Sequence, residues 1–266
     1  MHLLHLMHDV PLWVTALAVS TAAGLYSIGL MLVARTVFGV ERLKLNNEVA
    51  GFKFAVVGVF YGVLLAFVVV SVWEDFHTTE AAVRNEAKAA VDLHRLTFAL
   101  PVEGGAAIRQ RLLSYTDHVR KYEWPSMALG QASDDVARDL DQLSQAVFNV
   151  QPQGERELAL YQDALRLLTV ITDNRNERLD SSDGSVPPIL WFVLIIGGAI
   201  TLGYPAFFGS SNLLAQILMT AALAVLVSFS LLLGLAFDYP FSGAVHISVA
   251  PFDKALEQMP PNWPPP

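Results

Sequence analysis

The chain has 266 residues, 53% of them apolar and 16% charged, against roughly 45–50% and about 25% in a soluble domain; the shortfall in charge points to lipid. It carries a formal charge of −8 and no cysteine, which excludes disulfides, thiolate metal sites and cysteine nucleophiles and leaves no clustered basic surface for nucleic acid. Of its 25 acids and 17 bases, 19 and 12 fall between Glu74 and Asp183, so the middle reads as water-exposed and the two flanks as membrane.

In chain order, His2, His5 and His8 come first and precede Asp9. They are weak candidates for a divalent metal; the competing expectation is a frayed amphipathic end before Pro11, and no cofactor is implied. Residues 10–34 and 54–73 are uncharged apolar stretches, the second with Lys53 at its entrance and Glu74-Asp75 at its exit. About 20 such residues suffice to cross a bilayer as a helix. From Gly184 to Phe237 there is no charge, and Gly209-Ser210-Ser211-Asn212 divides this run into spans 186–208 and 213–237. The expected fold is therefore an all-α integral membrane protein in which two transmembrane helical hairpins (1–73 and 184–237) flank a soluble antiparallel helical bundle at 74–183. Residues 238–266 are expected as an extended Pro-rich tail, with Val245, Ile247 and Val249 alternating like a strand.

The second span has two unlike sides. At 100° per residue, Gly51, Ala55, Gly58, Gly62 and Ala66 cluster within about 80° of one another, and Lys53, Val57, Phe60, Leu64, Phe67 and Ser71 share the opposite side. Small residues let helix backbones approach closely in lipid. The stripe fits either the first span, where Ser20 and Gly24 form a matching small pair, or the second span of a neighbouring copy. In the second case Phe60, Leu64 and Phe67 would turn toward an axis as a hydrophobic constriction with Lys53 at one mouth.

Within the insert, apolar residues recur at helical spacing: Val83, Ala87, Ala90 and His94; Ile108, Leu112, Tyr115, Val119 and Tyr122; Val136, Leu140, Leu143, Val147 and Val150; Leu158, Tyr161, Leu165 and Leu168, continued by Thr172 and Arg175. Breaks are expected at Pro101 with Gly104-Gly105, at Trp124-Pro125, at Gly130 and at Gln151–Gly154. Arg175 and Arg178 precede the third span, where a guanidinium fork could tie that helix to Glu123. No P-loop, zinc-protease or dinucleotide-binding motif is present and the insert's carboxylates are scattered among bases, so no enzyme is expected.

Several short motifs then combine in order and spacing over nearly the whole chain: Gly58-Val-Phe-Tyr-Gly62-Val-Leu-Leu-Ala66-Phe67 running into Trp73-Glu74-Asp75, Glu123-Trp124-Pro125, Arg175-Asn-Glu-Arg178-Leu179, Pro188-Ile-Leu-Trp191, Phe208-Gly209 and Asp238-Tyr-Pro240-Phe241-Ser-Gly243. Together they resemble the bestrophin-like family of bacterial membrane proteins, defined by a domain of unknown function. The resemblance implies a homopentameric anion channel whose second span continues into a cytoplasmic neck.

Two functional expectations stand side by side. One is an oligomeric channel or pore, for anions by the resemblance, with the second span lining the pathway. The other is a non-conducting sensor or scaffold in the cell membrane, whose insert binds a ligand or a partner membrane protein. For orientation, Arg35, Arg42, Lys44 and Lys53 fall in a 19-residue loop, and this density favours that loop inside. The insert would then be extracytoplasmic, opposite to the arrangement that the resemblance implies.

Overall fold

The computed structural model of the chain describes residues 11–243 and 245–260, so the histidine triplet lies outside the described residues. Ten α-helices are described: α1 Leu12–Phe38, α2 Val40–Leu45, α3 Asn47–Leu96, α4 Val102–His118, α5 Trp124–Met127, α6 Asp134–Phe148, α7 Glu155–Asp180, α8 Pro188–Gly203, α9 Leu213–Asp238 and α10 Ala250–Glu257. A π-helical turn, Val119–Glu123, joins α4 to α5, and a short 3-10 turn, Tyr204–Phe207, extends α8. No strand occurs among the described residues. Four described helical stretches are long and apolar enough to cross a membrane.

The chain forms two compact units. Among the described residues the membrane unit comprises 11–74 with Ser185–Asp238, and the insert unit comprises Asp75–Gly184 with the described residues from Tyr239 onward. Helix α3, 50 residues without Gly or Pro after Gly62, contributes to both.

In the membrane unit α1 packs mainly on α9 and on the end of α8, and Ser27 donates its hydroxyl hydrogen to the Leu202 carbonyl. Tyr61, Leu65 and Val68 of α3 meet Leu194 and Leu202 of α8 and Ala224 and Val227 of α9 in a small apolar core. Tyr61 donates to the Leu194 carbonyl at 3.2 Å, and the approach is this close because Gly197 has no side chain: a Cβ there would lie 2.8 Å from the Tyr61 ring. The interspan loops are tied together by polar side chains. Asn47 exchanges two hydrogen bonds with the Gly209 backbone, and Arg35 donates to the Ser210 carbonyl at 2.7 Å. A Cβ on Gly209 would fall on the backbone of Val40 and Lys44, so the Phe208-Gly209 pair marks a close crossing of two segments of the chain.

In the insert unit the stripe Thr79, Val83, Glu86, Ala90 and Leu93 of α3, with Thr97 just past its end, is entirely buried. Ile108, Leu112 and Tyr115 of α4, and Val136, Leu140, Leu143 and Val147 of α6, bury their faces in the same core. Three sequence expectations are corrected here. Gly104-Gly105 and Trp124-Pro125 do not break helices. Pro101 alone starts α4, because proline needs no partner for an N–H it lacks, and Gly105 sits where a Cβ would strike the Thr97 carbonyl. On α7 the buried face is Ala164, Leu167, Leu168, Ile171, Arg175 and Arg178, while Leu158 is 46% exposed; the inward face is rotated by about one residue from the apolar stripe because two arginines take its last positions.

The third correction concerns the described part of residues 238–266, expected as an extended tail with a strand at 245–249; its proline-rich end, 261–266, lies outside the described residues. Instead the chain turns after Tyr239, forms α10, and buries Phe241, Ile247, Phe252, Ala255 and Met259 against the bundle. Periodicity over three alternating residues is too short to decide between a strand and an irregular segment whose side chains plug a core.

Candidate functional site

Two places in the molecule carry more chemistry than packing alone demands. The first lies in the insert. Glu86 reaches it from α3, Tyr115 from α4, Glu123 from the π turn, and Arg175 and Arg178 from α7; Glu86, Tyr115, Glu123 and Arg178 are fully buried, and Arg175 nearly so. Arg178 donates Nε to Glu86 Oε2 at 2.8 Å, and Nη2 both to Glu86 Oε1 at 3.0 Å and to Glu123 Oε2 at 2.8 Å. Its Nη1 points at Met127 Sδ, 3.0 Å away. Arg175 closes a fork on Glu123 at 2.5 and 3.2 Å, and the Tyr115 hydroxyl donates to Glu86 Oε1 at 2.6 Å.

Two guanidinium and two carboxylate groups sum to no net charge, and every carboxylate oxygen accepts at least one hydrogen bond, which is the condition for burying ions. Burial opposes the Arg178 charge, yet the Glu86 and Glu123 carboxylates around it hold its affinity for the proton above the ordinary guanidinium value. The Tyr115 phenol is pushed well up, by burial first and then by the adjacent Glu86 carboxylate. The rings of Trp124 and Phe252 stand 5.6 and 5.7 Å from the Arg178 guanidinium carbon, and Phe241 packs edge-on against Trp124.

The sequence pairs Arg175 and Arg178 with Glu123, and the structure places all three together. It misses Glu86 and Tyr115. The signal for Glu86 was present, a lone carboxylate on an apolar stripe, and a tyrosine in a core stripe needs a partner for its hydroxyl. The stripe through Val119 was expected to continue to Tyr122, which is 49% exposed, whereas Glu123 is buried. The cause is the π turn: the Trp124 N–H bonds to the Val119 carbonyl five residues back, and the wider turn rotates Glu123 inward.

The second place is the outer surface of α3 in the membrane unit. Phe60 and Phe67 are 75% and 73% exposed; Lys53 and Ser71 are also exposed, and Val57 and Leu64 half-buried. The small stripe does not meet the first span, since Gly58, Gly62 and Gly24 each have open space where a Cβ would stand. Instead Gly58, Gly62 and Ala66 line an open groove of about 460 Å³ whose far wall includes Thr201 of α8 and Val227 and Ser230 of α9. Gly51 lies near Phe208, and Ala55 is exposed.

Two polar features are structural. Asp238, at the end of α9, accepts from the Ser185 and Val186 N–H groups at 2.9 Å and from Trp191 Nε1 at 2.9 Å, so one buried carboxylate ties the fourth span to the start of the third. His118 lies 2.5 Å from Asp139. Among the described residues no three His, Asp or Glu side chains converge as a metal site.

These features define a helical membrane protein with a charge-locked insert and an apolar, partly unfilled helix surface. The Bestrophin-like domain profile matches residues 21–252, and the chain belongs to the bestrophin-like family. The fold is shared with solved structures of a bacterial bestrophin homologue from Klebsiella pneumoniae. One variant is 12% identical with a TM-score of 0.69, covering 92% of this chain and 96% of that one; another is 12% identical with a TM-score of 0.66, covering 90% and 97%. A structure titled only as a membrane protein aligns at 11% identity and a TM-score of 0.68, covering 90% and 97%. A search of curated proteins returns no match.

Proposed function

We propose that copies of this chain assemble as a ring in the cell membrane and form an ion channel, with the α3 helices around the pathway. The observation that carries this reading is the surface of α3: two phenylalanines about 10 Å apart along the helix, each roughly three-quarters exposed, on a face opposite a groove lined by glycine. Among the described residues of one chain neither feature has an occupant. In a ring a neighbouring copy's helix fills the groove through its small contact residues, and Phe60, Leu64 and Phe67 line a constriction that excludes water. Membership of the bestrophin-like family supports the ring, and a pentamer is the stoichiometry that its likeness to bestrophin folds favours. The sensor or scaffold reading is the second one: a groove of about 530 Å³ in the insert is lined by Arg84, Lys88, Arg95 and Lys254 against Glu80 and Asp92, and Arg84 and Arg95 are already paired with those two acids.

For orientation the basic residues of the 35–53 loop favour that loop inside the cell and the insert outside. Because the chain has no cysteine, an impermeant thiol reagent on spheroplasts should label Gln131→Cys in the insert and spare Asn46→Cys in the loop; the converse pattern reverses the assignment.

The test of conduction is Phe67→Ala in liposomes. Truncating a hydrophobic gate should raise ion flux above wild type. Equally tight liposomes for both proteins, with the variant folded and inserted, would remove the channel reading.

A further inference from the structure

The exposed face of α3 continues beyond Phe60 and Phe67 at both ends. Lys53, Phe60, Phe67 and Glu74 follow one another at intervals of seven, with Val57, Leu64 and Ser71 between them. The alternating steps of four and three make a seam with a 3.5-residue repeat, the pattern by which helices wind around a shared axis. Its two ends carry opposite charge. Lys53 and Glu74 are both exposed, and neither has an ion-pair partner within the chain among the described residues. Between them lie 20 residues without a charge.

Resting on the ring of α3 helices proposed above, we infer that the pathway is bipolar: a ring of Lys53 ammonium groups at one mouth, a ring of Glu74 carboxylates at the other, and the phenylalanine constriction between. Twenty-one residues of helix separate the rings by roughly 30 Å, several times the Debye length of about 8 Å at physiological salt. The two rings therefore do not cancel, and each acts on the ions at its own mouth. Carboxylate rings concentrate cations and ammonium rings concentrate anions. The next residue, Asp75, carries the same sign as Glu74. Glu74 is thus the specificity-determining residue that admits cations, and Lys53 its counterpart for anions.

Bipolarity has a consequence that a uniformly charged pore lacks. With the Glu74 side positive, cations enter through the mouth that gathers them while anions enter through the Lys53 mouth, and carriers accumulate inside. With the opposite polarity both are drawn out and the constriction is depleted. The channel passes more current in the first direction.

Single-channel recordings in planar bilayers test this on Phe67→Ala, the variant expected to conduct, and on Glu74→Gln and Lys53→Gln added to it. Both added changes keep side-chain size and lie on an exposed face, and unchanged elution volume in detergent verifies assembly. In symmetric KCl the Phe67→Ala channel should show several-fold asymmetry between polarities, and either added change should abolish it. In a KCl gradient Glu74→Gln should move the reversal potential toward chloride and Lys53→Gln toward potassium. A conducting channel with a symmetric current, or with both variants shifting the same way or not at all, overturns bipolarity and leaves the ring standing. A Phe67→Ala protein that assembles and does not conduct overturns the channel and the bipolar pathway together.

Discussion

The insert and the membrane unit solve opposite problems. The insert gathers two acids and two bases into its interior and satisfies all of them within one chain, through Arg178, Arg175, Glu86 and Glu123. The membrane unit has almost no charge to satisfy and leaves its second span incomplete, with Phe60 and Phe67 outward and a groove beside Gly58 and Gly62. A water-exposed domain must close its polar interactions internally because buried unpaired charge costs several kcal/mol. A lipid-facing surface bears no such cost, so it is free to reserve a face for other copies. The internal closure of the insert speaks to stability, and the open face of α3 is the surface that the proposed ring would use.

The comparison breaks most sharply at Arg178. Arg178→Met leaves Glu86 facing only the Tyr115 hydroxyl and strips one donor from Glu123, and should destabilise the insert by about 3–5 kcal/mol, read from denaturant unfolding followed by Trp124 fluorescence with the other four tryptophans replaced by phenylalanine in both proteins. A loss below 1 kcal/mol would show that the network is wet or dispensable. A double-mutant cycle between Arg178 and Glu123 should give a clearly nonzero coupling, in contrast to exposed pairs such as Arg166–Asp163, for which about 0–1 kcal/mol is the norm.

Glycines sharpen the comparison within the membrane unit. Gly58→Leu with Gly62→Leu adds side chains where the single chain has open space, so assembly should weaken while the fold of each copy survives; light scattering in detergent would show smaller particles with unchanged helix content. Gly197→Ala puts a methyl group against Tyr61 inside one chain and should cost about 1–3 kcal/mol without changing stoichiometry. If the leucine pair leaves particle size unchanged, the groove faces lipid.

The smallest expected effect is a dependence on pH. His94 is fully buried beside Phe98, and among the described residues neither of its ring nitrogens has a hydrogen-bond partner. Burial first, then Arg109 and Arg95, lower its pKa from the ordinary 6.5. The unfolded chain then binds a proton near pH 6.5 that the folded insert refuses, so stability falls as pH drops below that value, by at most about 1.4 kcal/mol per pH unit until the lowered pKa is reached. Thermal melts of wild type between pH 7.5 and 5 should show this slope, and His94→Phe should flatten it. An unchanged slope in the variant would assign the acid sensitivity elsewhere.

Sequence alone determined the four apolar stretches, the helical character of the residues between them and the family. Each rests on a repeated local signal, twenty uncharged residues or an apolar residue at every third or fourth position, that survives whatever packs against it. It also named Glu123, Arg175 and Arg178, because a fixed-charge side chain close to an apolar stripe needs an opposite charge. Only the tertiary structure decided that Glu86 and Tyr115 complete that cluster, since Glu86 lies 92 residues from Arg178 and 29 from Tyr115, and that a single widened turn aims Glu123 rather than Tyr122 inward. It likewise decided that residues 239–260 fold onto the bundle, and that the glycine stripe of α3 faces a groove beside α9 instead of α1. All of these depend on which faces meet across distant parts of the chain, and contacts of that kind leave no periodic trace in the residues that make them.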